Sequence, residues 1–225
     1  MSDKNIVPNY YNLVENETTY YNRKDGFPQH VALGIIIGQS GSGKTNCMYS
    51  LIVHNKNWDM FYICTKALHE PLYEMLINAI KKVAPDRVVA VDSPKDLPPI
   101  NSLNDKIQNL VIFDDMICED AKGRAIIQEW YIRGRKANAS IFYLAQTYFD
   151  ISKMIRLQAN TIILKKITSK KELRAIVKDY ALDMELEDLQ KIYKQCTEGF
   201  DFFTINLKSN DPSKMYYHNF KPIKI

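Results

Sequence analysis

The sequence predicts an α/β fold, a mainly parallel sheet flanked by helices and extended by extra strands near the C-terminus. Three features predict it. Short apolar runs recur along the chain, segments of helical length separate them, and the last part of the chain changes to a hairpin-like pattern. Each run is apolar throughout rather than alternating. That is the pattern of a strand buried on both faces, as in a parallel sheet covered by helices on both sides.

Residues 1–30 are rich in Asn and Tyr and show neither helical nor strand periodicity. They read as a lead-in arm to a single domain spanning 31–225. Residues 31–37 are largely β-branched or aliphatic and form the first predicted strand. A helix at roughly 44–54 follows, then a strand at 59–64 and a helix at 69–83. Strands at 88–91 and 110–113, a helix at 120–133 and a strand at 141–145 continue the alternation. A helix at 151–159 and a strand at 161–164 close it, and helices at 170–181 and 184–195 come next. Residues 200–207 and 215–217 read as a hairpin or edge strands around Asn210-Asp211-Pro212, three turn-forming residue types.

The 225 residues are 46% hydrophobic and 25% charged, with 8 Gly and 9 Pro, which excludes fibrous and low-complexity classes. No run approaches the roughly 18 apolar residues of a membrane span. The polar N-terminal stretch lacks the basic-then-apolar order of a secretory signal. The expectation is a soluble intracellular protein without a membrane anchor. Cys47, Cys64, Cys118 and Cys196 are too widely spaced for metal-ligand pairs and read as buried, reduced thiols. The net charge of +4 is unevenly spread: residues 151–225 hold 14 Lys and Arg against 9 Asp and Glu. That excess suits either an anionic partner or a solvated basic face.

The chemistry is concentrated in Gly38-Gln39-Ser40-Gly41-Ser42-Gly43-Lys44-Thr45. It matches G-x-x-x-x-G-K-[ST] without deviation, between a predicted strand and a predicted helix. The glycines let the backbone curl so that successive N–H groups face a triphosphate at the positive end of a helix dipole. Lys44 is a point charge for the β- and γ-phosphates, and Thr45 offers a hydroxyl to Mg²⁺. A nucleoside triphosphate is the predicted ligand.

A second element must supply acid at the end of a neighbouring buried strand. Residues 109–113 are followed by Asp114 and Asp115, 70 residues beyond Lys44. Asp114 is expected in the magnesium shell, and Asp115 is expected to orient or deprotonate the attacking water. The same pair also suits a helix N-cap, since a helix begins nearby. A third element is Gln146, at the end of the run 140–145, placed to reach the γ-phosphate or the water. The alternative is a polar residue simply leaving a strand. Between them lies Arg133-Gly134-Arg135-Lys136, whose charges suit the negative end of a helix dipole. The sharper reading is an arginine finger, Arg135 ahead of Arg133, serving a neighbouring subunit's site.

Together, GQSGSGKT, LVIFDDM and RGRKANASIFYLAQTYFDIS resemble the viral genome-packaging ATPases of the FtsK/HerA superfamily, the group found in poxviruses, other large DNA viruses and virophages. The tail at 192–197, 202–205 and 210–216 resembles the same group, so the likeness covers about 26–220. It implies a RecA-like P-loop core working with ATP and Mg²⁺ in a homo-oligomeric ring, a pentamer or hexamer, around double-stranded DNA. Carried over by position, Lys44 and Thr45 bind phosphate and Mg²⁺, Asp114 is the Walker B carboxylate, Gln146 the sensor and Arg135 the trans-acting finger. The sequence departs from the pattern at Asp115, where the wider superfamily often has Glu, and at Lys136, where relatives often have His.

The implied function is an ATP-driven DNA translocase filling a preformed viral capsid. Its partners would be sequence-independent duplex DNA and capsid or portal-vertex proteins, in the host-cell cytoplasm, a viral factory or the virion. Lys165, Lys166, Lys170 and Lys171 are the candidate DNA-facing cations, with a solvated face as the plainer reading. Two other classes fit the phosphate motif. A nucleoside or nucleotide kinase would transfer phosphate to an added acceptor without responding to DNA. A non-catalytic assembly module would bind ATP without turnover.

Overall fold

Ile35, Ile36 and Ile37 are all fully shielded from solvent, yet their side chains enter two different cores. Successive strand residues point to opposite faces, so β1 (Leu33–Ile37) has helices over both faces. Ile35 and Ile37 join Val111, Ile141 and Trp130 on one face, and Ile36 joins Met48, Leu51, Ile112 and Phe142 on the other. The uniformly apolar runs in the sequence are the signature of this double burial.

In the computed structural model, residue 28 and residues 30–55, 57–180, 185–209 and 211–223 are described. Most of the predicted arm at 1–30 lies outside them. After β1 the chain runs through α1 (Lys44–Asn55), β2 (Met60–Thr65), α2 (Pro71–Val83), β3 (Val88–Val91) and β4 (Asn109–Asp114). It continues through α3 (Ala121–Arg133), β5 (Ala139–Ala145), α4 (Lys153–Gln158), β6 (Thr161–Leu164), α5 (Lys170–Tyr180) and α6 (Leu186–Cys196). The chain closes with β7 (Phe203–Asn206), β8 (Tyr216–His218) and β9 (Lys221–Pro222).

The strands form one sheet in the order β3-β2-β4-β5-β1-β6-β7-β8-β9. The six from β3 to β6 are parallel, and the last three are antiparallel extensions. Helices α1 and α2 cover one face; α3 to α6 cover the other. Parallel strands send their C-terminal loops to one edge, which is where α/β sheets bind ligands. The register makes those ends level. Ile37 pairs with Ala145 and with Leu164, and Asp114 pairs with Leu144 and with Thr65.

Three expectations are corrected and one element is added. The predicted strand at 200–207 begins only at Phe203, because the carbonyls of Phe200 and Asp201 are taken by the Lys165 ammonium rather than by a ladder. The predicted helix at 151–159 is shorter, since a 3-10 turn at Tyr148–Asp150, boxed by Thr147 and Asp150, occupies the approach to it. A further strand, β9, has no counterpart in the sequence reading; two residues are too few to show periodicity. Among the cysteines, Cys47, Cys64 and Cys196 are buried, whereas Cys118 is exposed in the loop after β4. Among the described residues no helix is long and apolar enough to cross a membrane.

Gly34, in the middle of β1, marks where the sheet is tightest. A Cβ there would lie 2.3 Å from the Phe142 ring, and the Gly34 carbonyl already accepts a 2.6 Å hydrogen bond from Tyr131 Oη. Gly34→Ala is expected to lower stability by about 1–3 kcal/mol through overpacking. A urea titration should show this as an earlier midpoint with an unchanged slope.

Candidate functional site

The loop between β1 and α1 is turned by its glycines. Gly41 has φ of 73° and Gly43 of 82°, values that L side chains rarely adopt. The loop is anchored at its start, where Gly38 N–H donates to Ala145 O at 3.2 Å and Gln39 N–H to Lys166 O at 3.3 Å. Beyond it, α1 presents its N-terminus and its dipole to the same space.

Lys44 folds back over this loop. Its Nζ donates to Gly38 O at 2.9 Å and to Gln39 O at 3.2 Å. Burial pulls its pKa below the ordinary lysine value, against the opposing pull of Asp114, Asp115 and Glu70. Two backbone carbonyls thus hold a cation that a phosphate chain would satisfy better.

The two aspartates at the end of β4 meet different surroundings. Asp114 is buried and accepts a 2.6 Å hydrogen bond from Tyr73 Oη. Burial raises its pKa, while Tyr73 and Lys44 pull it back down. Asp115 is exposed and turns into the left-handed region at φ 56°, which Asp tolerates better than most residues. This turn separates the neighbouring carboxylates, one fixed in the protein and one open to the cleft. Neither caps a helix: Asp120 caps α3, accepting from Gly123 N–H at 2.8 Å.

Both carboxylates line a cleft of about 310 Å³ together with Ser40, Gly41, Lys44, Thr45 and Gln146. Gln146 is exposed there, one residue past β5, the strand that lies between β1 and β4. The segment after it is braced. Tyr148 N–H donates to Glu172 on α5 at 2.8 Å, and the Arg156 guanidinium lies 4.6 Å from the Tyr148 ring centroid. The structure therefore gathers Lys44, Thr45, Asp114, Asp115 and Gln146 at one place. Gly38, Gln39, Ser42 and Gly43 shape the loop that leads into Lys44 and Thr45.

Arg135 is not brought to this cleft. It is exposed in the 3-10 turn Gly134–Ala137 at the N-terminal end of β5. The seven residues of β5 put about 20 Å between it and Gln146. Arg133 pairs instead with Glu129 at 2.8 Å.

Lys165 is corrected outright as a DNA-facing cation. It is fully buried, its Nζ donating to Phe200 O and to Asp201 O, and desolvation lowers its pKa. Its Cβ lies only 2.5 Å from where a Cβ on Gly38 would stand, so it supports the loop from beneath. Lys166, Lys170 and Lys171 are exposed.

Sequence reasoning missed Tyr73 and Glu70. Tyr73 lies on the buried face of α2 and reads in sequence as core; only the tertiary fold aims its hydroxyl at Asp114. Glu70 has no local signal at all, and it faces Lys44 across the cleft.

The donor set fits Mg²⁺. Among the described residues no cluster of three or more His, Cys, Asp or Glu forms a cage for a metal ion. A hydroxyl and one carboxylate beside a phosphate loop are what Mg²⁺ uses, since it keeps waters and substrate oxygens for its other positions.

A family profile described as Poxvirus A32 protein matches residues 21–198. A search of curated protein sequences finds no match. Among solved structures, the genome packaging NTPase B204 from Sulfolobus turreted icosahedral virus 2, in complex with sulfate, aligns with a TM-score of 0.58 at 15% identity. That alignment covers 84% of this chain and 95% of the other. The same protein in complex with ATP-gammaS aligns at 0.56 with 17% identity, over 85% of this chain and 97% of that one. B204, the DNA-packaging ATPase from Sulfolobus turreted icosahedral virus, gives 0.57 at 18%, over 88% and 99%. At these identities the likeness is one of fold.

Tyr73→Phe keeps the ring and removes the hydroxyl that donates to Asp114. Losing such a supporting hydrogen bond is expected to raise the Mg²⁺ concentration for half-maximal nucleotide binding about tenfold. Metal-free nucleotide affinity should not change. Mg²⁺ titrations of the wild type and the variant, followed by nucleotide binding, check this.

Proposed function

The chain belongs to the Poxvirus A32 protein family, and on that premise we propose that it is an ATP-driven double-stranded DNA translocase that packages a viral genome into a preformed capsid. The observation that carries the reading is the convergence of the phosphate loop, Asp114, Asp115 and Gln146 on one cleft. The fold shared with packaging NTPases supports it.

The residues divide the work. A triphosphate entering the loop meets its backbone N–H groups and draws Lys44 off the Gly38 and Gln39 carbonyls. Mg²⁺, when bound, neutralises charge on the β- and γ-oxygens. Thr45 and Asp114 would hold it, with Tyr73 fixing Asp114. Asp115, open to the cleft, takes the proton from the attacking water, and Gln146 orients that water or the γ-phosphate. Arg135 enters the neighbouring subunit's site in a ring of five or six and stabilises the charge that develops there.

The DNA contact is phosphate-directed and independent of sequence, because packaging must pass over every sequence alike. Lys166, Lys170 and Lys171 are the candidates for it; capsid or portal-vertex proteins are the other partners. The setting is the host-cell cytoplasm or a viral factory, or the virion itself.

Hydrolysis of ATP is expected to rise with added duplex DNA, and that stimulation should fade as salt rises. Lys44→Ala should abolish turnover; a variant as fast as wild type would sink the mechanism. Asp115→Asn is expected to lower kcat by about 10²–10⁴ while ATP still binds. Arg135→Ala should lose about 10³ in kcat. Because its role is in trans, mixing it with Lys44→Ala should restore part of the rate, whereas two cis-acting lesions would not complement.

A further inference from the structure

The cleft gathers groups suited to phosphates, metal and water, and its aromatic lining residue, Tyr143, is buried. On the side of the phosphate loop away from the acids, the chain presents an exposed aromatic ring. The sheet order sets the two flanks: β5 and β4 with Gln146 and the aspartates on one side of β1, and β6 and β7 on the other. Phe200 lies on the second flank, just before β7, and is 69% exposed. It is close to the loop itself. A Cβ added at Gly43 would stand 2.8 Å from Phe200 Cδ1 and 3.3 Å from Cε1.

The ring's backbone is held in place. The buried Lys165 ammonium donates to the carbonyls of Phe200 and Asp201. Asp201 in turn pairs with His218 at 2.8 Å, and Phe202 N–H donates to Asn219 Oδ1 at 2.9 Å. A large apolar ring is thus left facing solvent on a segment pinned at several points.

We propose that Phe200 is the stacking platform for the base of the bound nucleotide. The assignment rests on the nucleotide-site reading above and deepens it. With the γ-phosphate at Asp115 and Gln146, the phosphate chain runs along the loop and directs the nucleoside toward the β6–β7 flank. A base lying flat on Phe200 covers the ring that solvent now sees. Stacking recognises the π-face rather than the hydrogen-bonding edge, so it favours a nucleotide over a bare polyphosphate. Lys165 is the positioning residue, since it fixes the platform relative to Gly43.

Full-length wild type, Phe200→Ala and Phe200→Trp are titrated with ATP and with inorganic tripolyphosphate, by calorimetry. Phe200→Ala is expected to weaken ATP binding on the order of tenfold and to leave tripolyphosphate affinity unchanged. Phe200→Trp should keep ATP affinity, and its indole emission should change with ATP but not with tripolyphosphate. The native Trp58 and Trp130 are buried and provide a constant background. Equal losses for both ligands in Phe200→Ala would mean that the ring only packs the loop, and would overturn the assignment. So would unchanged ATP affinity, with or without altered self-association. A wild-type chain that binds neither ligand overturns the nucleotide reading itself, and this assignment falls with it.

Discussion

The level ending of parallel strands is the constraint on which everything else in this molecule depends. Ile37 sits beside Ala145 and Leu164, and Asp114 sits beside Leu144. The next residues along each strand are therefore Gly38, Gln146, Lys165 and Asp115, delivered to one edge of the sheet. A slip of one residue would move the core side chains to the wrong face. The double burial of β1 forbids that slip, so the packing of Ile35 and Ile36 into opposite cores also aligns the site. Beyond Lys44 and Thr45 the phosphate loop works through its backbone; it needs a place where N–H groups, a helix N-terminus and acids from other strands meet.

The electrostatics follow from depth at that edge. Lys44 and Lys165 stand close together in the fold and have opposite fates. Lys165 is enclosed, and its charge is spent on two carbonyls of the segment before β7. Lys44 rests on two carbonyls of its own loop within sight of Asp114, Asp115 and Glu70, partly buried and ready to exchange them for phosphate. The aspartates split in the same way. Asp114 is buried and bonded to Tyr73, whereas Asp115 is turned outward by its left-handed backbone and is exposed. Adjacent residues meet different surroundings because one is buried against Tyr73 of α2 and the other is exposed in the cleft.

The elements beyond the parallel strands serve the same edge. Tyr148 ties the segment after Gln146 to α5, and Tyr193 of α6 donates to Lys165 O at 2.9 Å while its oxygen accepts from Ile167 N–H at 2.5 Å. The segments after β5 and β6 are thus braced by helices from one face of the sheet. The antiparallel extension fixes the segment that carries Phe200. The C-terminal part of the chain acts as a support for the site rather than as an appendage to it.

By itself the sequence determined the α/β class, the succession of parallel strands, the phosphate loop and the identities of Lys44, Thr45, Asp114, Asp115 and Gln146. These were legible because each rests on local order: burial on both faces makes a strand uniformly apolar, and a phosphate loop demands fixed glycine spacing next to a helix start. Only the tertiary structure decided that Lys165 is buried, that Tyr73 serves Asp114, that Glu70 faces Lys44 and that Phe200 flanks Gly43. Tyr73 and Asp114 are 41 residues apart, and Lys165 and Phe200 35. No local pattern encodes contacts at such separations, because they follow from which strands become neighbours and how deep each end lies. The lysines at 165 and 166 show the limit most plainly: adjacent in sequence and alike in type, they point to opposite faces of the chain, and the fold buries one and leaves the other in solvent.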